Sequence, residues 1–357
     1  MSFKQVLSQP HAVSHFQSVL ARGRLAHAYV FCGPDGVGKA LFARELVKTL
    51  LCSGRSDKET SPDACDQCES CKAVDSGDNP DLFWITLDYK VIKIEAIREL
   101  ERLAVLKPHG ARRRVFVIED AERMNAEAAN CLLKTLEEPP RGVVILLTAT
   151  SLARLPRTTV SRCQVVRFQP IEPATLKKLI KKNLDVFKEG DSDGDSYKEA
   201  LEWLAGASCG SMGWAARLVK EEAVTRRKKL FDRLSSLHMD DNFLVSQEVL
   251  DWCPYNKDEG LEGRRARLRI WMCLMLEFYR DVLLCKVGAD ELGLFNMDYR
   301  DKIAAKARQL SERTVEEIMG EINSSLDGLR RNANINLLVE NMFTRIARLE
   351  ANTYGAS

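Results

Sequence analysis

The sequence predicts a parallel, three-layer α/β domain followed by an all-α C-terminal part, an α/β plus all-α chain, and three observations predict it. A phosphate-binding loop, Gly33-Pro34-Asp35-Gly36-Val37-Gly38-Lys39, follows the apolar run Tyr29-Val30-Phe31-Cys32 and precedes a helical pattern beginning at Leu41. Short β-rich runs recur at 29–32, 82–87, 115–118, 143–147 and 164–168 with helical patterns between them, the alternation of a sheet covered on both faces. After Pro170 the strand signal vanishes and helical periodicity takes over.

The loop comes first. In a working loop of this kind the backbone amides around Gly33, Gly36 and Gly38, together with Lys39, hold the phosphates, and a following Ser or Thr hydroxyl helps hold Mg²⁺. Here the following residue is Ala40, whose methyl group cannot coordinate a cation. Whether a nucleotide such as ATP still binds passively at Lys39 is left open by the sequence.

After the loop's helix comes a cysteine cluster. Cys65, Cys68 and Cys71 lie within seven residues, and Cys52 lies thirteen positions before Cys65. Four thiolates from one segment close a tetrahedral zinc site at ~2.3 Å per Zn–S bond, with no open coordination position, so the expected metal is structural. The stretch 53–64 is rich in Ser, Asp, Lys and Pro and cannot build a core, so a metal would supply its folding energy. Four reduced surface thiols are the alternative, and an iron–sulfur cluster a second one, although the fourth Cys and Pro of the ferredoxin spacing are absent. The other seven cysteines mostly sit in apolar patterns and read as small core residues.

A helix from about 94 to 106 places Ile94, Ile97, Leu100 and Ala104 on one face, and Pro108 with Gly110 ends it. Arg112, Arg113 and Arg114 form a basic turn that could face nucleic-acid phosphates, although such turns are more often solvated. The next strand runs into Glu119-Asp120-Ala121-Glu122. Asp120 is the candidate Mg²⁺ partner, and position 121, where a hydrolytic pair would put its base, holds Ala. Glu119 and Glu122 are expected to point elsewhere, and losing a general base costs ~10²- to 10⁴-fold in rate.

Beyond Pro170 a basic amphipathic helix is expected from 173 to 188, leading into a polar acidic stretch at 189–196 that reads as a solvated loop. Asp191, Asp193 and Asp195 alternate as calcium ligands do, but the glycine and glutamate of an EF-hand loop are misplaced. Helical patterns follow at 221–237, 264–287, 301–326 and 334–351, broken by the turn-rich Cys253-Pro254-Tyr255-Asn256. The stretch from Arg269 to Leu284 is apolar nearly all round, which reads as core or otherwise as an intersubunit surface.

Bulk properties narrow the function. The chain has 357 residues, 45% of them hydrophobic, enough for two or three domains, and its net charge of +2 argues against a polycation built for nonspecific nucleic-acid binding. No run approaches the ~20 apolar residues that cross a bilayer, and the start of the chain lacks a signal peptide's apolar core, so a cytoplasmic address is expected. There, eleven cysteines mean thiols or metal ligands rather than disulfides.

Further motifs carry a resemblance. Leu25-Ala26-His27-Ala28-Tyr29-Val30-Phe31 precedes the loop, the four cysteines follow its helix, and Ala128-Ala129-Asn130-Cys131-Leu132-Leu133-Lys134-Thr135-Leu136-Glu137-Glu138-Pro139-Pro140 and Ser161-Arg162-Cys163 lie downstream. This combination resembles the AAA+ clamp-loader subunits of bacterial DNA polymerase III, and the resemblance extends to Asn332-Ala333-Asn334 and the residues after it. Within that family the chain is similar to the delta-prime branch. Ala40, Ala121 and Gly213, the last at a position where the hydrolytic gamma/tau branch carries a sensing Arg, all depart from the hydrolytic pattern. The sequence also stops at Ser357, without the extension of tau.

The resemblance implies a RecA-like AAA+ domain over 1–169 with a zinc-binding insert at about 52–71, a helical lid over 170–225 and a helical collar over 226–357. It implies a stationary partner of gamma/tau and delta subunits in a pentameric ring that loads the sliding beta clamp onto primed DNA. The chain would then be a component of a DNA-directed DNA polymerase holoenzyme and not an autonomous ATPase. Arg162 is implied to act in trans on a neighbour's ATP, the local alternative being a surface pair with Glu137 or Glu138. Two rivals remain: an ATP-hydrolysing gamma/tau-like motor, and a zinc-containing nucleic-acid-binding module that acts without a ring.

Overall fold

The computed structural model describes residues 3, 6, 8–54, 63–86, 91–186, 194–290 and 293–354. Much of the acidic stretch expected at 189–196 and most of the 53–64 insert therefore lie outside the described residues. The chain divides into two compact units, Met1–Leu179 with Cys209–Trp214, and Ile180–Ser208 with Ala215–Ser357. Of the segment expected as a lid, 209–214 thus belongs to the first unit and most of the remainder to the second.

All five expected strands are present: β1 Ala28–Cys32, β2 Leu82–Ile85, β3 Arg114–Ile118, β4 Val143–Ala149 and β5 Gln164–Arg167. They form one parallel sheet in the order β2-β3-β4-β1-β5, with Val30 opposite Leu147 on one side and Val165 on the other. Every residue of β1, β3 and β4 is buried, which is why these segments read as continuous apolar runs instead of alternating ones.

Side chains alternate between the faces. Tyr29 and Phe31 project into one core with Phe16, Phe42, Leu46 and Phe168, whereas Val30 projects into the other with Ile97, Leu100, Leu132 and Leu136. Phe31, Phe42 and Phe168 form a mutual cluster with ring centroids 5.4 Å apart, a geometry worth ~0.5–1.5 kcal/mol per pair beyond area burial. The covering helices are α1 Pro10–Ala21, α2 Lys39–Leu51, α3 Glu69–Ser76, α4 Ile94–Ala104, α5 Ala126–Glu137 and the single turn α6 Arg157–Val160. Asn125 caps α5 by accepting the backbone N–H of Ala128.

Before β2, the buried Asp81 accepts the N–H groups of His109, Gly110 and Ala111 and pairs with Arg114 at 3.3 Å. Arg114 also donates to the carbonyls of Leu103, Leu106 and Lys107. Its expected exposure to phosphates is thereby corrected: Arg114 is a buried anchor that closes the α4–β3 turn, because its guanidinium satisfies carbonyls left over at the end of α4.

Two helices, α7 Pro173–Asn183 and α9 Met212–Lys220, continue from the first unit into the second. The other helices of the second unit are α8 Asp195–Ala207, α10 Ala223–Ser235, α11 Asn242–Asp251, α12 Gly260–Lys286, α13 Arg300–Gln309, α14 Glu312–Arg330 and α15 Ile335–Tyr354. The run expected at 301–326 is two helices, separated where Ser311 caps α14 by accepting the N–H of Thr314. The apolar stripe of α12 is core: Trp271, Met272, Leu274, Met275, Phe278 and Tyr279 are all fully buried.

Polar groups inside this helical unit are mostly matched. Lys306 and Glu350 meet at 2.6 Å, and Tyr279 donates to the same carboxylate at 2.9 Å. Asp281 accepts from the backbone of Phe295 and Asn296 and from the Arg280 guanidinium. Glu277, one turn earlier, has a buried Oε2 with no hydrogen-bond partner among the described residues.

Burial pushes the Glu277 carboxyl up to about 8, with Asp281 adding to the rise and Arg227 and Arg280 opposing it. From its ordinary value of 4.5 up to about 8 the folded chain holds a proton that the unfolded chain has lost. Stability is therefore expected to fall as pH rises through this window, by up to ~1.4 kcal/mol per pH unit, and to level off above it. Urea unfolding followed across that range should show a shallower slope in Glu277→Gln; an unchanged slope would contradict the assignment.

Candidate functional site

Gly33 begins where β1 ends, its N–H donating to the carbonyl of Ala149 on β4, so the sheet itself positions the phosphate loop. Gly38 is the N-cap of α2 and Lys39 its first residue. The Lys39 side chain is 6% exposed and its Nζ donates to the carbonyls of Gly33 and Pro34, each at 2.7 Å. Burial lowers the affinity of this ammonium for its proton, opposed by the charges of Asp35, Asp120 and Glu122. Gly33, Gly36, Gly38, Lys39 and Asp120 are thus brought to one end of the sheet, as the sequence implies.

The acidic side is organised by β4. Asp120, in the left-handed region at φ 47°, donates its N–H to Thr148 Oγ1 at 3.0 Å. Glu122 accepts from Thr150 through both its N–H, at 2.9 Å, and its hydroxyl, at 2.5 Å. Burial raises the Asp120 carboxyl, and Glu122 adds to the rise. Glu119 is also raised by burial, offset by a contact with Trp84 and the charge of Arg44.

Position 121 differs from expectation. Ala121 is 1% exposed and lies in the apolar core with Ile118, Ala128 and Leu132. A carboxylate there would be buried in hydrocarbon instead of facing the loop, because the 3₁₀ turn Ala121–Arg123 folds that side chain inward. Glu119 and Asp120, the residues directly after β3, are the acids that stand at the sheet's end.

Gly36 and Gly213 touch. The N–H of Gly213 donates to the carbonyl of Gly36 at 3.1 Å, and a Cβ on Gly213 would lie 2.8 Å from Gly36 Cα. A Cβ on Gly36 would in turn lie 2.9 Å from Gly213 Cα and collide with the Ser211 hydroxyl. An arginine at 213 is incompatible with this backbone path. Ser211 is itself fixed as it accepts the Trp214 N–H at 3.0 Å, and Gly210 accepts the N–H of Ile171 at 2.8 Å.

Gln9 completes the frame and was not singled out by sequence. Its buried amide donates to the Gln169 carbonyl at 2.7 Å and accepts the Gln169 N–H at 3.1 Å, and it reaches the Val37 carbonyl at 3.5 Å. The only available signal was a polar residue immediately before Pro10, the start of α1. Thr148 and Thr150 were equally silent, being ordinary β-formers at the end of a strand.

The four cysteines converge. The Sγ atoms of Cys52, Cys65, Cys68 and Cys71 all lie within 4.8 Å of one another. The separations Cys52–Cys65, Cys52–Cys68 and Cys65–Cys71 are 3.5, 3.8 and 4.0 Å. A tetrahedron with ~2.3 Å metal–sulfur bonds has edges of ~3.8 Å, so the set fits a four-sulfur metal site such as zinc. The N–H of Cys68 points at Cys65 Sγ at 3.3 Å and that of Cys71 at Cys68 Sγ at 3.4 Å, donors that favour thiolate over thiol. Burial alone would raise the Cys68 thiol, but hydrogen bonds from Ser53 and from the backbone of Cys71 and Gly54 bring it down to about 5.

Arg162 lies just after α6, away from the loop of its own chain in sequence and in hydrogen bonding. Its guanidinium pairs with Glu137 and donates to the carbonyl of Thr158 at 2.9 Å. The local pairing weighed from sequence is thus present, on a side chain one-third exposed.

Residues 8–172 match the family described as DNA polymerase III, delta subunit. The chain is 26% identical over 344 residues to DNA polymerase III subunit delta' of Bacillus subtilis, covering 94% of each. It is 32% identical over 254 residues to subunit gamma of Buchnera aphidicola, covering 70% of this chain and 67% of the relative. To subunit tau of Bacillus subtilis it is 29% identical over 330 residues, 90% of this chain and 56% of that one. No helix among the described residues is long and apolar enough to cross a membrane.

Replacing Gly36 by Ala tests the glycine contact. Left-handed backbone at φ 73° costs a non-glycine residue ~1–2 kcal/mol and overpacking ~1–3 kcal/mol, so Gly36→Ala should lose about 3 kcal/mol in urea unfolding. A loss below about 1 kcal/mol would mean that the 211–213 segment yields freely.

Proposed function

Because this chain belongs to the family of DNA polymerase III clamp-loader subunits, we propose that it works there as the stationary member, lending an arginine to a neighbour's ATP while hydrolysing none itself. The chain is a delta-prime-like subunit of that clamp loader. Its setting would be a cytoplasmic pentameric ring with gamma/tau and delta subunits, which places the sliding beta clamp on primed DNA during replication.

The observation that carries the stationary role is the contact of Gly36 with Gly213. A hydrolytic subunit needs a hydroxyl after the loop lysine, an acid and base at the sheet's end, and a cation from the helical side to read the phosphates. This chain has Ala40 at the first position, and at the third a glycine whose backbone leaves no room for a side chain. Lys39 is satisfied by the loop's own carbonyls. The loop thereby keeps its shape through its own hydrogen bonds.

Arg162 supplies the retained chemistry in this reading. Its partner Glu137 is half-exposed, and exposed pairs are worth only ~0–1 kcal/mol, so the guanidinium can exchange Glu137 for a phosphate at low cost. In that position it would stabilise transition-state charge, a contribution of ~10³- to 10⁵-fold in related phosphoryl transfers. Zinc bound by Cys52, Cys65, Cys68 and Cys71 would be structural, since all four positions are sulfur.

The test is reconstitution with partner subunits. Arg162→Ala should assemble normally yet reduce DNA-stimulated ATPase by at least about tenfold, while Lys39→Ala should leave it nearly unchanged. Multiple-turnover hydrolysis by the isolated chain, abolished by Lys39→Ala, would instead identify a gamma-like motor. Metal analysis of the purified chain should return one zinc per molecule and no iron.

A further inference from the structure

We propose that Lys48 is a positioning residue for the four-cysteine metal site, holding the Cys65–Cys68 turn onto the helix that starts at the phosphate loop. Lys48 lies on α2, nine residues after Lys39, and its side chain is 3% exposed. Its ammonium meets three carboxylates: Glu45 on the same helix at 3.0 Å, Asp66 at 3.2 Å and Asp75 on α3 at 3.2 Å. Those three acids belong to the three pieces of chain that must be aligned for the sulfurs to converge.

Asp66 is the informative partner. It sits between the candidate ligands Cys65 and Cys68, with backbone in the left-handed region at φ 57°. That conformation turns the chain so that the Cys68 N–H reaches Cys65 Sγ at 3.3 Å. Asp is one of the few non-glycine residues that adopt this region singly, and the ion pair to Lys48 fixes where its carboxylate points. Asp75 ties down α3, the helix that carries Cys71, and Ser70 adds a hydrogen bond to the carbonyl of Leu51, next to Cys52.

Charge gives the lysine a second role. A divalent metal with four thiolates carries two net negative charges, and Asp66 brings another beside them. The Lys48 ammonium meets Asp66, Asp75 and Glu45 together and offsets part of the negative charge gathered beside that dianionic centre. Residues that orient metal ligands from outside the coordination sphere typically contribute ~10- to 100-fold to metal affinity.

The inference rests on the metal reading of the cysteines, and the experiment separates the two. Full-length protein, with Lys48→Met, Lys48→Arg, Asp66→Asn and Asp75→Asn, is loaded with zinc and titrated against a chromogenic zinc chelator, with thermal melting followed by circular dichroism. Lys48→Met should hold zinc ~10- to 100-fold more weakly, with Lys48→Arg recovering part of the loss and Asp66→Asn and Asp75→Asn losing less. A lower melting temperature with unchanged zinc affinity in Lys48→Met would make Lys48 merely structural and overturn the proposal. Should Lys48→Met not fold, wild-type affinity in both Asp variants would overturn it equally. A wild-type chain that binds no zinc would sink the metal reading itself.

Discussion

Burial of β1 on both faces is the constraint on which the rest of the first unit depends. A strand hydrogen-bonded to β4 on one side and β5 on the other, with Tyr29 and Phe31 in one core and Val30 in the other, has no freedom to shift register: a slip of one residue would exchange the two faces. Its C-terminal end therefore delivers Gly33 to a fixed place. From that place follow the start of α2 at Lys39, the position of Cys52 where α2 ends, and the approach of Asp120 and Glu122 beneath Thr148 and Thr150.

Much of this was legible in the sequence, because its strongest signals are local. Five apolar runs became five strands since a parallel sheet buried on both faces needs unbroken hydrophobicity. The four cysteines announced their convergence by spacing alone. What escaped depends on distant contacts. Ala121 looked like a vacant base position in a linear motif, but the turn after β3 drives it into the core. Arg114 looked like one of three surface arginines until Asp81, far away in the chain, neutralised it. The break at Ser311 was hidden in a run of good helix formers, where a single capping hydroxyl decides.

Three buried lysines show how differently one charge can be accommodated. Lys39 is satisfied by neutral carbonyls of its own loop. Lys306 has one carboxylate, Glu350, which it shares with a tyrosine hydroxyl. Lys48 has three acids from three segments. Carbonyl dipoles stabilise a cation less than carboxylates do, so Lys39 is the one of the three whose partners a phosphate could replace most readily. A loop that keeps its lysine in this arrangement leaves no buried charge unsatisfied.

The backbone contact between Gly36 and Gly213 also bears on how this chain could change over evolutionary time. Introducing a hydroxyl at position 40 requires one substitution and no rearrangement, since Ala40 is only half-buried. Introducing an arginine at 213 requires the 211–213 segment to withdraw first, because any side chain there meets Gly36 Cα. The two substitutions therefore differ in cost, the second carrying a penalty until the main chain moves. The contact acts as a ratchet against any side chain at 213: a variant that gains one passes first through a less stable form.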